Sequence, residues 1–317
     1  MQQNIELQER DVIVLRDLFE TRLMTLRHLA ALSFHGSQDA AKKRLQKLKR
    51  AGLVGERPRR AYEPSILFLT QKGFALLSER GALADYPSLT SAAFEKRARV
   101  SDLTLKHELD VLEAKTALTL AIRELPHLKL TEFSTWPALF EFEAAPGPYE
   151  IQRIVRPDGF IRVEEEHPDT SADEHIFFLE VDRSTEVLER LTTQARCYRE
   201  YYRTGGLAKR FGETEQLPFR VLMVLQNTER RNNVADSLLR LRPPIMEQVW
   251  LATMSDVRGA PLGPIWIRPI DYRAVTSGTA FDPKLPLSSP YRRRPEREEI
   301  VEKSVIKRGL LASLVQE

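Results

Sequence analysis

The chain has 317 residues, of which 42% are hydrophobic and 29% are charged, and its formal net charge is +3. This length favours two domains, and the apolar fraction is typical of globular cores. The sequence contains no apolar run long enough for a transmembrane helix, no signal-peptide pattern at its N-terminus, and Cys197 as its single cysteine. These features exclude an intrachain disulfide and a cysteine-rich zinc site, and they predict a cytoplasmic protein without membrane partners.

Positive charge is concentrated in the first third of the chain. Residues 1–100 contain 18 Lys and Arg against 11 Asp and Glu, a net charge of +7 that leaves −4 for the remainder. A basic segment joined to a slightly acidic one indicates an electrostatic partner for the basic part, and nucleic acid is the most common such partner.

Hydrophobic spacing predicts two short helices at the start of this basic part, over residues 9–20 and 25–34. Thr25 is a suitable cap for the second helix, and His35-Gly36 follows it as a turn. The predicted core positions of the two helices are Val12, Leu15, Leu18, Phe19, Leu26, Leu29, Leu32 and Phe34.

A third helix is predicted from Ser37, which suits the N-cap, to Gly52, which suits the C-terminal end. Its apolar positions face the core, and Lys43, Lys47 and Arg50 share the opposite side. The core-facing positions are Ala41, Leu45 and Leu48. A basic stretch, GLVGERPRR, an extended run, SILFLT, and a helical segment, QKGFALLSERG, complete this part of the chain.

This order of elements predicts a winged helix-turn-helix domain over residues 1–85 that binds double-stranded DNA. Residues near the start of the third helix are the candidates for contacts with base edges: Ser37, Gln38, Asp39 and Lys42. Basic residues along this helix and in the wing are the candidates for phosphate or minor-groove contacts: Lys43, Arg44, Lys47, Lys49, Arg50, Arg57, Arg59 and Arg60. Two alternatives are a solvated basic face and a winged helix used for protein contacts.

The rest of the chain is predicted to begin with a linker over residues 86–98 and a long helix over about residues 99–125. Short apolar runs then alternate with helical segments at residues 186–203 and 230–240, which predicts an α/β domain over residues 99–271. The predicted strands are LKLTEFS, YEIQRIV, GFIRV, HIFFLEV, FRVLMVLQ and EQVWLAT.

Three carboxylates in this domain form a candidate metal site. Strand alternation places Glu180 and Asp182 on the same face, and a hairpin that begins at RPDG, followed by an acidic loop over VEEEHPDTSADE, brings Asp158 beside them. Converging carboxylates are ligands for hard cations such as Mg²⁺, with Asp158 and Glu180 as the candidate metal ligands. The alternative is a structural framework in which Glu180 and Asp182 form salt bridges with Arg156, Arg183 or Arg190.

This block resembles the PD-(D/E)xK nuclease superfamily. Pro157-Asp158 matches the first motif, Glu180-Val181-Asp182 lies at the second, and Gln194 with Tyr198 is similar to the Q-x-x-x-Y helix motif of some members. The resemblance implies a restriction-endonuclease-like fold, in which an active enzyme would use Asp158, Glu180, Asp182 and Gln194 with Mg²⁺. The superfamily's lysine is replaced by Asp182, and no lysine occurs between residues 130 and 208. Arginine is a poor general base because it stays protonated, so a non-catalytic domain is expected.

Over roughly residues 8–250 the chain resembles the replication-relaxation family of plasmids and other mobile elements. The resemblance rests on FLTQKG, on Lys106-His107-Glu108-Leu109, on RPDG and FFLEVDRSTE, on the Tyr198 helix and on PFRVLMVLQNTERR. It implies a winged helix joined to a nuclease-like domain, in a protein that serves replication or mobilisation of an element.

The C-terminal part, residues 272–317, is predicted to be an extended arm. It is proline-rich, contains Arg292-Arg293-Arg294, and ends in a segment with the apolar spacing of an amphipathic helix. Residues 291–317 are a candidate contact for a protein partner or for a second copy of the chain, and folding back onto the chain's own domain is the alternative.

The sequence is consistent with three functional hypotheses. The leading hypothesis is a sequence-specific DNA-binding accessory or regulatory protein of a mobile element, acting as a homodimer on a palindrome and needing no cofactor to bind DNA. The second is a Mg²⁺-dependent endonuclease or nickase targeted by the winged helix. The third is a transcriptional repressor whose second domain serves dimerisation or sensing.

Overall fold

The computed structural model divides the chain into two compact units, Met1–Leu120 and Ala121–Glu317, here called the first and second units. The division falls within a long helix, whereas the sequence pattern places a domain boundary at residue 99. No helix in the part of the chain that the structure describes is long and apolar enough to cross a membrane. The described residues are 6–59, 62–86, 89–135, 140–169, 171–184, 187–276 and 305–311.

The first unit consists of helices around a small antiparallel sheet. Its described elements are α1 (Glu9–Thr21), β1 (Met24–Thr25), α2 (Leu26–Ser33), α3 (Gln38–Arg50), β2 (Val54–Glu56), β3 (Ile66–Leu69), α4 (Gln71–Glu79), α5 (Ser91–Ala98) and α6 (Asp102–Arg123). The strand order is β1-β3-β2, with both pairs antiparallel. The order of the helices and of the β2-β3 hairpin up to α4 is the order expected from the sequence, whereas β1 was not predicted.

Local signals in the sequence fix the ends of α2 and α3. The Thr25 hydroxyl accepts a hydrogen bond from the His28 amide, and the Ser37 hydroxyl accepts one from the Ala40 amide, as predicted for N-caps. Gly52 has φ +75°, a conformation that favours glycine, and the turn there lets the Leu53 amide donate to the Leu48 carbonyl. These caps set the length of α3 and therefore which of its side chains reach solvent.

The core of the first unit follows the predicted pattern with small differences. Leu15, Leu18 and Phe19 of α1 are buried, as predicted. Val12, which was also predicted to be buried, is half-buried, and Val14 is buried instead. The core-facing residues of α3 are buried as expected. The burial pattern leaves the opposite face of α3 exposed.

The segment predicted as a linker contains a helix, α5, instead of continuous irregular chain. Thr90 caps it by accepting from the Ala93 amide, and Phe94 is buried. The Phe94 ring stacks on Phe74 of α4 with centroids 4.4 Å apart and an interplanar angle of 8°. A single aromatic residue in a polar stretch gives little periodicity, so its burial was not evident from the sequence.

The second unit is built on a mixed sheet. Its described elements are β4 (Leu128–Thr135), β5 (Phe142–Ala144), β6 (Arg153–Val155), β7 (Gly159–Glu166), β8 (Ala172–Asp182), α7 (Leu188–Arg203), α8 (Gly206–Phe211), β9 (Arg220–Leu225), α9 (Thr228–Leu239), β10 (Val249–Thr253), α10 (Met254–Gly259) and α11 (Pro269–Thr276). Among the described residues the sheet has five strands in the order β10-β9-β8-β7-β4, and β5 pairs with β6 separately. The expectation of an α/β arrangement agrees with this sheet.

β8 is the middle strand and joins the antiparallel half, β4-β7-β8, to the parallel half, β8-β9-β10. Phe178 on β8 packs in the core with Tyr198 of α7, with ring centroids 5.1 Å apart. The predicted acidic loop after β7 is shorter than expected. β7 continues to Glu166 and β8 begins at Ala172, so most of VEEEHPDTSADE pairs within the β7-β8 hairpin.

Two parts of the predicted C-terminal arm are described: residues 272–276 belong to α11, so the predicted boundary at residue 272 falls inside a helix, and residues 305–311 pack on the second unit and are not helical. Arg308 and Trp266 exchange two backbone hydrogen bonds of 2.8 and 3.2 Å, and the Leu310 amide donates to the Leu262 carbonyl. Val305, Leu310 and Leu311 are buried. The apolar residues that predict an amphipathic helix here lie in an extended segment. This segment folds back on its own domain, which is the alternative that the sequence left open. The Arg292-Arg293-Arg294 run lies outside the described residues.

An ion cluster holds this segment in place. The buried Asp271 carboxylate accepts from the Arg308 guanidinium at 2.9 and 3.0 Å and from the Arg268 guanidinium at 2.9 and 3.0 Å. Burial on its own raises the pKa of Asp271, but the hydrogen bonds from Arg268 and Arg308 outweigh it and lower the pKa from 3.8 to about 2.

Because the folded state holds Asp271 at the lower pKa, its ionised form stabilises the fold above about pH 4, and this contribution is lost as the pH falls towards 2. We expect Asp271→Asn to lower the free energy of unfolding by about 2 kcal/mol at pH 7, with the deficit shrinking towards pH 2. Urea unfolding at a series of pH values measures it, with Glu213→Gln, an exposed carboxylate, as the control. An equal deficit at pH 7 and pH 2 would contradict this assignment.

Candidate functional site

The exposed face of α3 carries the predicted DNA contacts of the first unit. Because Ala41, Leu45 and Leu48 point into the core, the opposite side of α3 faces solvent. Ser37 at the N-cap is also exposed, although its hydroxyl is engaged in capping. The other exposed candidates on α3 are Gln38, Asp39, Lys42, Lys43, Lys47 and Arg50.

Four cations on this face, Lys42, Lys43, Lys47 and Arg50, form what we call the outer basic face. None of them forms an ion pair or a side-chain hydrogen bond with any residue that the structure describes. Their charges are held on a rigid helix and face water. An unpaired cluster of this kind attracts an anionic partner without first breaking an internal salt bridge.

Two further basic residues of α3 have structural partners. The Arg44 guanidinium binds the carboxylate of Asp11, which is fully buried in α1, with an Nε–Oδ1 distance of 2.6 Å. Hydrogen bonding to Asp11 raises the pKa of Arg44. Lys49 pairs with Glu56 of β2, and hydrogen bonds from Lys49 and then Ser65 lower the pKa of Glu56 to about 2. The structure therefore places Arg44 and Lys49 in ion pairs that join α3 to the rest of the unit.

The loop between β2 and β3 contains the predicted wing arginines. Arg57 donates to the Val100 carbonyl at 2.5 Å and to Asp102 at 2.6 Å. Arg59 donates to the Glu56 carboxylate at 3.1 Å and to the Glu63 carbonyl at 2.9 Å. Arg60 lies outside the described residues. Both Arg57 and Arg59 therefore have partners within the first unit. In this respect they differ from the four cations of the outer basic face.

The β7-β8 hairpin of the second unit brings Asp158 beside Glu180, where the hairpin predicted from RPDG also places it. In the β7-β8 hairpin Gly159 lies opposite Leu179, and the Asp158 amide donates to the Leu179 carbonyl at 2.9 Å. The Asp158 carboxylate, in turn, accepts from the Val181 amide at 2.7 Å. This exchange fixes Asp158 beside the end of β8.

Glu180 is buried beneath α7. Its Oε1 atom accepts hydrogen bonds from Gln194 Nε2 at 2.7 Å and from the Tyr198 hydroxyl. Complete burial raises the pKa of Tyr198 well above 10, and the negative charges of Glu180 and Asp158 raise it further. The Q-x-x-x-Y spacing of Gln194 and Tyr198 puts both donors on one helix face, where they bind the same oxygen.

Asp182 is also buried, and its Oδ2 atom forms a salt bridge with Arg230 Nε at 2.6 Å. Arg230 lies in the first turn of α9, and the sequence-based hypothesis of a framework named other arginines. Arg156, one of those, pairs with Glu141 at 2.9 Å. Parallel pairing of Asp182 with Leu225 places the start of α9 next to the end of β8. Because this pairing exists only in the folded sheet, the sequence contains no local signal for Arg230.

Among the described residues the structure brings together no complete ligand set for the Mg²⁺ that the superfamily resemblance implies, although the Asp182 Oδ1 atom is buried there without a hydrogen-bond partner. The Asp158, Glu180 and Asp182 carboxylates each accept a hydrogen bond or salt bridge from the protein. Within the described ranges no group of three or more His, Cys, Asp and Glu side chains is arranged to hold a metal ion. Oxygen ligands of Mg²⁺ need free lone pairs in an octahedral arrangement. We therefore derive no chemical step through a metal.

These features define an α+β protein in which a small helical unit with an outer basic face is joined to a unit with a mixed sheet and buried carboxylates. A family model described as replication-relaxation matches residues 15–217, which is more than half of the chain. The chain belongs to the replication-relaxation family. The match includes α3 and Asp158, Glu180, Asp182 and Gln194, whereas Arg230 lies beyond it. Comparisons with curated proteins and with solved structures gave no match.

The hydrogen bond between Tyr198 and Glu180 is expected to stabilise the folded state. Tyr198→Phe removes the hydroxyl that donates to a buried carboxylate, and we expect it to lower the free energy of unfolding by about 2 kcal/mol. Chemical denaturation measures the change. Tyr201→Phe is the matched control on the same helix, because that buried tyrosine has no side-chain hydrogen bond to the residues described. Equal losses in the two variants would show that the hydrogen bond to Glu180 contributes nothing specific.

Proposed function

We propose that the chain is a double-stranded DNA-binding protein of a mobile element, and that α3 is its recognition helix. The observation that carries the proposal is the outer basic face, four cations without partners in the described part of the chain. Double-stranded DNA presents a dense row of phosphates, and neutralising them releases counterions, which drives binding. Family membership supports a role in replication or mobilisation of such an element.

The order of elements in the first unit supports the proposal. Three helices, a β-hairpin and a returning helix, with the strands in the order β1-β3-β2, are the elements of a winged helix-turn-helix. In such domains the last of the three helices enters the major groove with its N-terminal end near the bases. Gln38, Asp39 and Lys42 would then contact base edges, while Lys43, Lys47 and Arg50 would bind phosphates.

The internal ion pairs narrow the set of residues that we assign to DNA. Arg44, Lys49, Arg57 and Arg59 hold carboxylates or carbonyls of the first unit. Moving any of them to a phosphate would leave its present partner without that cation. Removing one of these residues would therefore change stability as well as binding, and the effect on binding could not be separated.

We predict that Lys43→Ala/Lys47→Ala/Arg50→Ala weakens DNA binding and flattens its salt dependence. Each lost phosphate contact reduces the slope of log K against log salt by about 0.9, so a decrease of about 2 to 3 is expected. Fluorescence anisotropy at several salt concentrations measures the slope. Arg80→Ala/Lys96→Ala is the control, since it removes exposed positive charges from the same unit away from α3.

A slope that is unchanged in the triple variant would place the DNA surface elsewhere. A winged helix used only for protein contacts would show no salt-dependent DNA binding in the wild-type chain. Footprinting on candidate palindromes tests the proposed homodimer, which would protect two half-sites. Protection of the protein's own promoter would instead favour the transcriptional repressor.

We further propose that the second unit has a restriction-endonuclease-like fold that does not cleave DNA. Asp182 occupies the position of the superfamily's lysine and is paired with Arg230, and Glu180 Oε1 accepts from two donors of α7. Arginine stays protonated and is a poor base, so this pair does not replace the lysine. The alternative is an endonuclease or nickase in which Asp158 and Glu180 bind Mg²⁺ and Asp182 positions water.

The expected outcome is that the wild-type chain binds DNA and leaves supercoiled, linear and single-stranded DNA intact with Mg²⁺ or Mn²⁺. The assay compares it with Asp158→Ala/Glu180→Ala, whose first unit and outer basic face are unchanged. Nicking or cutting by the wild type that disappears in this variant, with DNA binding retained in both, would establish the endonuclease and refute the non-catalytic assignment.

A further inference from the structure

A cavity of about 360 Å³ lies in the second unit at the amino-terminal ends of the parallel strands β9 and β10. Its lining includes Glu174, His175, Tyr202, Phe219, Arg220 and Gln248. Asp182, by contrast, ends β8 at its carboxyl end, so the cavity is separate from the buried carboxylates described above. The volume is within the range of pockets that bind small molecules.

Arg220 gives the cavity its charge. The guanidinium lies over the Trp250 ring at 4.9 Å and 5.8 Å from the Phe177 ring centroid, and it donates to the Leu310 carbonyl at 3.1 Å. It forms no salt bridge with a carboxylate in the ranges that the structure describes. Burial lowers the pKa of Arg220, which agrees with a cation withdrawn from water and without an opposing charge. Such a cation favours an anionic ligand.

The other charged residues of the cavity have partners. Glu174 pairs with Arg162 at 2.6 Å, His175 contacts the buried Glu165 at 2.7 Å, and Glu247 pairs with Arg268 at 3.1 Å. Their charges are directed to those partners, which leaves Arg220 as the cation that a ligand would meet.

Aromatic rings form another part of the wall. The Tyr202 and Phe219 rings meet edge to face with centroids 5.5 Å apart, and Tyr202 is 36% exposed. Gln248 adds a buried amide nitrogen that has no acceptor among the described residues. A cation, a neighbouring donor and aromatic surface together suit a ligand that combines an anionic group with a planar ring.

We propose that this cavity binds a small aromatic anion of the nucleoside monophosphate class. The phosphate contacts Arg220, and the ring of the ligand packs against Tyr202 and Phe219. This site is independent of DNA binding by α3, because it lies in the other unit and uses none of the residues of the outer basic face.

Isothermal titration of the full chain with adenosine monophosphate, adenosine and inorganic phosphate tests the proposal. We expect the monophosphate to bind with one-to-one stoichiometry and at least about tenfold more tightly than adenosine, because a charge-assisted hydrogen bond to Arg220 is lost without the phosphate. Arg220→Gln should weaken the binding of the monophosphate by about tenfold or more. Lys209→Gln, which removes an exposed charge from the same unit, should leave it unchanged.

Tyr202→Ala is the second variant, since Arg220→Gln also removes the hydrogen bond to Leu310 and could loosen the C-terminal segment. We expect Tyr202→Ala to weaken the monophosphate more than inorganic phosphate. Equal affinity for adenosine and its monophosphate would overturn the proposal, as would the absence of binding by the monophosphate at millimolar concentration. DNA binding by Arg220→Gln should equal that of the wild type, so failure of this proposal is distinguishable from failure of the proposed function.

Discussion

Polar contacts of the β8 carboxylates tie this strand to two helices of the second unit. Glu180 and Asp182 lie on a strand buried between two neighbours, where an unpaired charge would be strongly destabilising. Each acid takes its partner from a different helix: Gln194 and Tyr198 of α7 bind Glu180, and Arg230 of α9 binds Asp182. The polar contacts of one strand therefore fix the two helices that follow the strands β8 and β9, and the packing of the aromatic core follows from that placement.

The basic residues of α3 fall into two groups. One group is paired with carboxylates inside the first unit, and the other is exposed and unpaired in the part of the chain that the structure describes. Arg44 is bound to a carboxylate that is wholly buried, so its positive charge is cancelled within the fold. The outer basic face has no such partners among the described residues. Cations of the first kind orient α3, and those of the second kind create a positive electrostatic potential at the solvent-exposed surface. The helix α3 carries both kinds of cation. The paired cations attach it to the rest of the unit, and the unpaired cations lie on its exposed face.

Elements with local signals could be predicted from the sequence, and contacts between distant residues could not. Thr25, Ser37 and Gly52 mark helix ends through interactions a few residues long, and the hairpin that begins at RPDG places Asp158 beside the end of β8. Arg230 and the Arg44–Asp11 pair were missed because charge patterns do not encode which distant residues meet. The helix predicted for the C-terminal segment is wrong for residues 305–311, because apolar residues that suit one helix face, Val305 and Leu310, are buried here together with Leu311 by a segment that is not helical.

In the nuclease-like fold that we propose for the second unit, the pairing of Asp182 with Arg230 would remove cleavage without removing the fold. A lysine at the end of β8 would leave a cation directed at the carboxylates and available to a phosphate. Asp182 reverses that charge, and the arginine that neutralises it comes from α9 and is held at 2.6 Å. The net charge of the pair is then zero, and its donors are already committed. The pair belongs to an internal network, and in the proposed function DNA is bound by the outer basic face instead.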